Sequence, residues 1–148
     1  MEIEKNIKPF YYKWAEFMDK NIKFSLKTSE FHTKKHCRNV LLFSLLIADL
    51  KQLADKEKEI LSICSVFHDS KRHDDGYDIG HGKRAADYYK KYCNDNIFNY
   101  EALCYEIIAY HDRDDNIGIE NITNKFTNYK NAVLLYSIFK DADALDRF

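Results

Sequence analysis

Glu59-Ile60-Leu61-Ser62-Ile63-Cys64-Ser65-Val66-Phe67-His68-Asp69 is an apolar run that closes on an imidazole and a carboxylate. Ile60, Ile63, Cys64 and Phe67 recur at the spacing of one helix face. Asp55 stands just ahead as an N-cap, so the run reads as a helix over residues 56–68. The same period extends outward on both sides. Residues 36–50 place Val40, Phe43, Ile47 and Leu50 on one stripe, and residues 82–93 place Ala85, Tyr88, Tyr89 and Tyr92. Residues 100–111 present Leu103, Ile107, Tyr110 and His111, and residues 130–141 present Val133, Leu134, Ile138 and Phe139. An N-terminal segment from about residue 10 to 22 carries Trp14, Phe17 and Met18.

Breaks between these segments are few. The chain has one proline, Pro9, and four glycines, three of them between residues 76 and 82. Punctuation is therefore expected near 70–82 and near 112–124. No turn dipeptide separates two alternating apolar runs, so hairpins are not expected. The fold class that follows is all-α: one bundle of about six helices filling residues 1–148, with its core over about 32–148.

The 148 residues suit a single domain. At that size about two thirds of the unfolded chain's surface can be buried. Charged residues make up 32% but balance to a formal −1, which argues against general nucleic-acid binding. Cys37, Cys64, Cys93 and Cys104 form no C-x-x-C pair and sit in apolar periodic segments. They read as reduced core residues of a cytoplasmic protein. The start, Met1-Glu2-Ile3-Glu4-Lys5, has no signal-peptide character. The longest apolar run, Val40 to Ala48, is interrupted by Ser44 and is too short for a bilayer.

Chemistry-bearing residues recur in order along the helices: His36, His68-Asp69, His81, His111 and Asp143. Imidazole and carboxylate are ligands for divalent first-row metals. Taken singly, each has an ordinary explanation. His36 and His111 sit on inward faces, as core histidines do. His81 lies in the loop-like Gly80-His81-Gly82, and Asp143 in an acidic helix end. His68 suits a helix C-terminus, but Asp69 does not, because a carboxylate is disfavoured there. Taken together, they would leave several buried polar groups to satisfy, which one or two metal ions would do. His73, in Lys71-Arg72-His73-Asp74-Asp75, lacks apolar context and reads as surface or substrate-facing. There is no G-x-G-x-x-G, P-loop or G-x-S-x-G motif, and no haem or iron–sulfur cysteine spacing.

This set resembles the HD-domain superfamily of metal-dependent phosphohydrolases, in a small stand-alone form. The matching residues are His36 in His36-Cys37-Arg38-Asn39-Val40, the His68-Asp69 dyad, and Asp143 within Asp141-Ala142-Asp143-Ala144-Leu145-Asp146. The resemblance implies that His36, His68, Asp69 and Asp143 hold a first divalent ion. His81 and His111 resemble the additional histidines of members that bind a second ion, with Asp69 bridging. Mn, Fe, Mg, Ni, Co and Zn all remain open as the metal. Ser70-Lys71-Arg72-His73 departs from the H-D-I-G-K of HD-GYP cyclic-dinucleotide phosphodiesterases and from the H-D-x-x-E-D of alarmone hydrolases. The triphosphohydrolase members are usually much longer.

The expectation is a phosphohydrolase that activates water to attack the phosphorus of a small phosphate ester, with a nucleotide the leading candidate. Asp69, Arg72 and Lys71 are the expected catalytic residues. Lys83, Arg84 and Arg113 are the expected substrate-binding cations, the alternative for each cation being a solvated surface position. Asp146 and Arg147 are a candidate structural pair. Two other readings stand beside this one: a di-iron oxygenase built on the same ligand order, and a non-catalytic HD sensor module. No membrane association is expected, and oligomeric state and any extension beyond Phe148 are open.

Overall fold

The computed structural model of the protein describes residues 2–28 and 33–147. The expected start of the core at residue 32, and Phe148, lie outside the described residues. Among those described there are seven helices and no strand: α1 (Glu2–Asn21), α2 (Lys34–Leu50), α3 (Asp55–Phe67), α4 (His81–Asp95), α5 (Ala102–Tyr110), α6 (Asp115–Lys125) and α7 (Ala132–Leu145). The all-α expectation holds, with one helix more than the sequence periodicity suggested.

Helix α3 is the centre of the bundle and touches α1, α2, α4, α5 and α7. It is buried nearly all round: Ile60, Leu61, Ile63, Cys64, Val66 and Phe67 are all in the core. A helix apolar on every face belongs inside a protein. Its two serines tolerate burial because each hydroxyl donates to a carbonyl one turn back, Ser62 to Lys58 O and Ser65 to Leu61 O, both at 2.7 Å. At its start, Glu57 accepts a bond from the Ala54 amide at 2.9 Å. Ala54 rather than Asp55 occupies the N-cap, and Asp55 is the first helical residue. A buried ion pair, Lys58 Nζ to Asp49 Oδ1 at 3.1 Å, ties this end of α3 to the end of α2.

Three expectations need correction. The buried face of α2 is Cys37, Val40, Leu41, Ser44, Leu45 and Ala48, so the stripe is rotated from the one expected and Leu50 is 70% exposed. The small residues Cys37, Ser44 and Ala48 let α2 lie close to its neighbours, and size, not apolarity, selected that face. Helix α1 starts well before residue 10 and contains Pro9. Helix α6 fills the region expected to be a break. Its Gly118 is not a stop: a Cβ there would run into the Tyr136 hydroxyl of α7. That hydroxyl crosses to the Tyr110 carbonyl at the end of α5, at 3.1 Å.

All four cysteines are free and buried, as expected. No helix among the described residues is long and apolar enough to cross a membrane.

Candidate metal centre

The six ordered residues converge, although they come from five places in the fold. His36 lies in the first turn of α2, and His68 is the C-cap of α3, with Asp69 next in the following turn. His81 opens α4, His111 caps α5, and Asp143 lies in the last turns of α7. All six are buried.

Their donor atoms stand at metal-ligand spacing. Two atoms bound to one ion at about 2.1 Å lie roughly 3.0–3.4 Å apart for right-angle to tetrahedral geometry. His36 Nε2 is 3.0 Å from Asp143 Oδ1 and 3.4 Å from His68 Nε2, and His68 Nε2 is 3.6 Å from Asp143 Oδ1. On the other side, His81 Nε2 and His111 Nε2 are 2.9 Å apart and stand 3.2 Å and 3.4 Å from Asp69 Oδ1. Asp69 Oδ2 turns the opposite way, 3.6 Å from His36 Nε2. Asp69 thus presents one oxygen to each half. His36, His68 and Asp143 form one group able to hold an ion, and His68, Asp69 and His111 another.

The rings are turned for this role by what holds their far nitrogens. His68 Nδ1 lies 2.8 Å from Ser65 O, His81 Nδ1 2.6 Å from Asp78 O, and His111 Nδ1 2.7 Å from Ile108 O. A carbonyl can only accept, so each Nδ1 carries the proton and each Nε2 points a lone pair inward. His36 Nδ1 meets the Asp146 carboxylate at 2.7 Å, and Asp146 is itself held by the Asn39 amide at 2.7 Å. Such outer partners fix the tautomer and raise the basicity of a ligand histidine. Facing Nε2 lone pairs at 2.9 Å and 3.4 Å repel unless a proton or a cation stands between them. The donor set therefore fits a divalent metal.

Electrostatics say the same. Burial pushes Asp143 up, but its bonds with His36 and His68 outweigh this and hold the carboxyl well below its usual range. Burial pushes His68 down, yet Asp69, with Cys37 and Asp143, holds it well above its ordinary value. For His111, burial wins and its pKa is lowered. Positive charge is thus favoured at His68, among the same groups that could hold a metal ion.

A cavity of about 720 Å³ opens over the cluster. The expected cations are distributed unevenly around it. Arg72 is buried in the wall, with Nη1 3.2 Å from both nitrogens of the His81 ring and its other donors on Asp74 O and Gly76 O. Arg113 lines the cavity and is exposed. Lys71, Lys83 and Arg84 do not line it. Lys71 donates to Lys23 O and lies 3.9 Å from the Tyr88 ring. Lys83 is paired with Asp87 on the surface, and Arg84 with Asp78. Arg147 donates to Asp143 Oδ2 at 3.1 Å rather than pairing with Asp146. His73 is exposed and does not line the cavity.

Three supporting residues escaped the sequence reading. Asp78 supplies the carbonyl for His81, while its carboxylate takes the His73 amide and Arg84. Lys140 reaches from α7 to the carbonyls of His111 and Arg113 at 2.9 Å and 2.8 Å. Asp112 accepts the amides of Gly80 and Gly82 on either side of His81 and leaves its other oxygen buried without a partner. Only the His111-Asp112 adjacency hinted at Asp112. The other two act through backbone carbonyls or amides, which side-chain patterns do not encode.

Comparison of the chain with protein-family models, with curated proteins and with solved structures finds no match.

Proposed function

We propose that the protein is a divalent-metal-dependent phosphohydrolase of the HD type, acting on a small phosphate ester such as a nucleotide in the cytoplasm. The observation that carries this reading is Asp69: one carboxylate facing two sets of histidines, next to a cavity lined by His36, His81, His111 and Asp143 and by the cations Arg72, Arg113, Lys140 and Arg147. The order of the ligands along the chain and the all-helical frame resemble the HD superfamily. His36, His68, Asp69, His81, His111 and Asp143 would hold the divalent ion, which would supply an acidified water and offset charge on phosphate oxygens.

The protein's own groups supply the rest. Asp69 stands between the two halves, placed to take a proton from the attacking water. Arg113 faces the anion from the cavity wall. Arg72 adds a buried positive charge beside His81, where low dielectric strengthens its effect on a developing phosphorane charge. Arg147 and Asp146 keep Asp143 and His36 in place.

The same bridging carboxylate also suits a di-iron oxygenase, and this is the second reading. Arg113, exposed on the cavity wall, offers a cation to an anionic substrate and therefore favours the first. A non-catalytic sensor would need no such wall. The test is to strip the protein with chelator and restore Mn, Fe, Co, Ni, Zn or Mg singly. Phosphate release from a panel of mono- and diesters is then measured beside oxygen uptake. Metal-dependent phosphate release supports the proposal; iron-dependent oxygen uptake with no phosphate release overturns it in favour of the oxygenase.

A further inference from the structure

The cavity itself restricts what kind of phosphate ester can sit over the cluster. Its volume, about 720 Å³, is typical of sites for whole small molecules and more than a bare phosphate needs. Four cations line it, but three are engaged. Arg72 holds the Asp74 and Gly76 carbonyls, Lys140 holds the His111 and Arg113 carbonyls and Asp115, and Arg147 holds Asp143. Arg113 is the one whose guanidinium has no partner among the described residues, and it is exposed to the cavity. The same wall carries Asp75 and Asp114. A polyphosphate chain would bring added negative charge to a wall with one unengaged cation and further carboxylates. A single phosphate brings the least.

The lip is unlike the floor. Tyr77 is 92% exposed and Ile79 is 49% exposed, and both line the cavity from the loop between α3 and α4. A lone exposed aromatic means little. This one is held in place. On one side, Gly76 is fixed by the Arg72 guanidinium through its carbonyl and by Asp74 Oδ1 through its amide at 2.7 Å. On the other, Asp78 is fixed by Arg84 and by the His73 amide at 2.8 Å. The ring thus stands in water on a short segment anchored at both ends, which lowers the ordering cost of using it for binding.

We propose that the ligand of this cavity is a monophosphate ester bearing a flat ring, with its phosphate over the histidine cluster beside Arg113 and its ring stacked on Tyr77. The proposal rests on the phosphohydrolase reading for its chemistry, but the binding it describes is measured separately. Manganese-loaded protein is titrated calorimetrically with adenosine 5′-monophosphate, adenosine 5′-triphosphate and glycerol 3-phosphate. The expected order is the monophosphate tightest, with glycerol 3-phosphate weaker by about tenfold, the lower end of what stacking on one aromatic ring provides. Tyr77→Ala weakens the nucleoside monophosphate about tenfold and narrows the gap to glycerol 3-phosphate, and Tyr77→Phe restores both. Arg113→Ala weakens both monophosphates together. Equal binding of the nucleotide and glycerol phosphate, tighter binding of the triphosphate, or no change in Tyr77→Ala overturns the proposal. Ring-selective binding without hydrolysis of any ester would leave it standing while removing the hydrolase reading. Hydrolysis without ring selectivity would do the reverse.

Discussion

Asp69 and His68 leave no exposed surface to speak of, so their substitution tests chemistry more than surface charge. His68→Ala and Asp69→Ala are expected to lower metal-stimulated phosphate release by at least about a thousandfold, since such ions and their ligands act as a unit. Far-UV circular dichroism should show helical content largely intact in both; full activity in both would remove the metal-hydrolase account. Asp112 makes a finer prediction. Its carboxylate pins the amides around His81, so Asp112→Ala should weaken the ion bound by His81, His111 and Asp69 about 10–100-fold, the usual effect of losing an outer-shell partner. Asp112→Asn keeps an acceptor for those amides and should recover most of that affinity in a metal titration. Proton and metal also compete at His68. Its pKa is raised above 6.5 in the folded, metal-free protein, so its protonation stabilises that state below 6.5 and this contribution is lost as pH rises through the raised value. Metal binding requires the proton to leave. The melting-temperature gap between metal-loaded and metal-free protein should therefore widen as pH rises through neutrality, and a gap that narrows would contradict the assignment. The cluster of His and Asp residues that could hold a metal was legible in the sequence because imidazoles and carboxylates on apolar helix faces lack any cheap alternative partner. The outer shell was not, because Asp78 and Lys140 work through backbone groups.

At the scale of the element, periodicity located the helices better than their buried faces: in α7 Leu135 and Tyr136, not the expected Val133 and Leu134, are fully buried beside Ile138 and Phe139. The α3 run is apolar on every side, so it marked itself as the central helix. The face of α2 was misjudged because Cys37, Ser44 and Ala48 are fully buried, while Phe43 is only partly buried against the core and Leu50 is exposed. Helix α6 was missed because Gly118 and the flanking Asp and Asn residues look like loop chemistry. Gly118 instead makes room for Tyr136, whose hydroxyl ends on Tyr110, one residue before His111. Gly118→Ala should cost about 1–3 kcal/mol or more through overpacking, despite alanine's better helix propensity. Thermal unfolding checks this, and a neutral or stabilising result would mean that α6 does not lie against Tyr136 as described. Tyr136→Phe in the Gly118→Ala background should recover little of the loss, because the ring carbon Cζ clashes with the new Cβ as the hydroxyl does.

For the whole molecule, five separate chain segments each bring a residue to the cluster, so an ion there would act as a clamp on α2, α3, α4, α5 and α7 together. A ligand that binds only the folded state at a hundred times its dissociation constant adds about 2.7 kcal/mol. For a chain of this size that raises the melting temperature by roughly 5–10 °C. Without the ion, two buried carboxylates and four imidazoles rely on one another and on a proton. The claim on which the rest depends is that this cluster is a metal centre. Elemental analysis of the purified protein after dialysis against a mixture of divalent ions tests it most directly. The account predicts at least one equivalent of a divalent transition metal per chain, reduced to background in a His68→Ala/Asp69→Ala double variant that remains helical. Less than about a tenth of an equivalent in the unmodified protein, or the same content in the double variant, would contradict it.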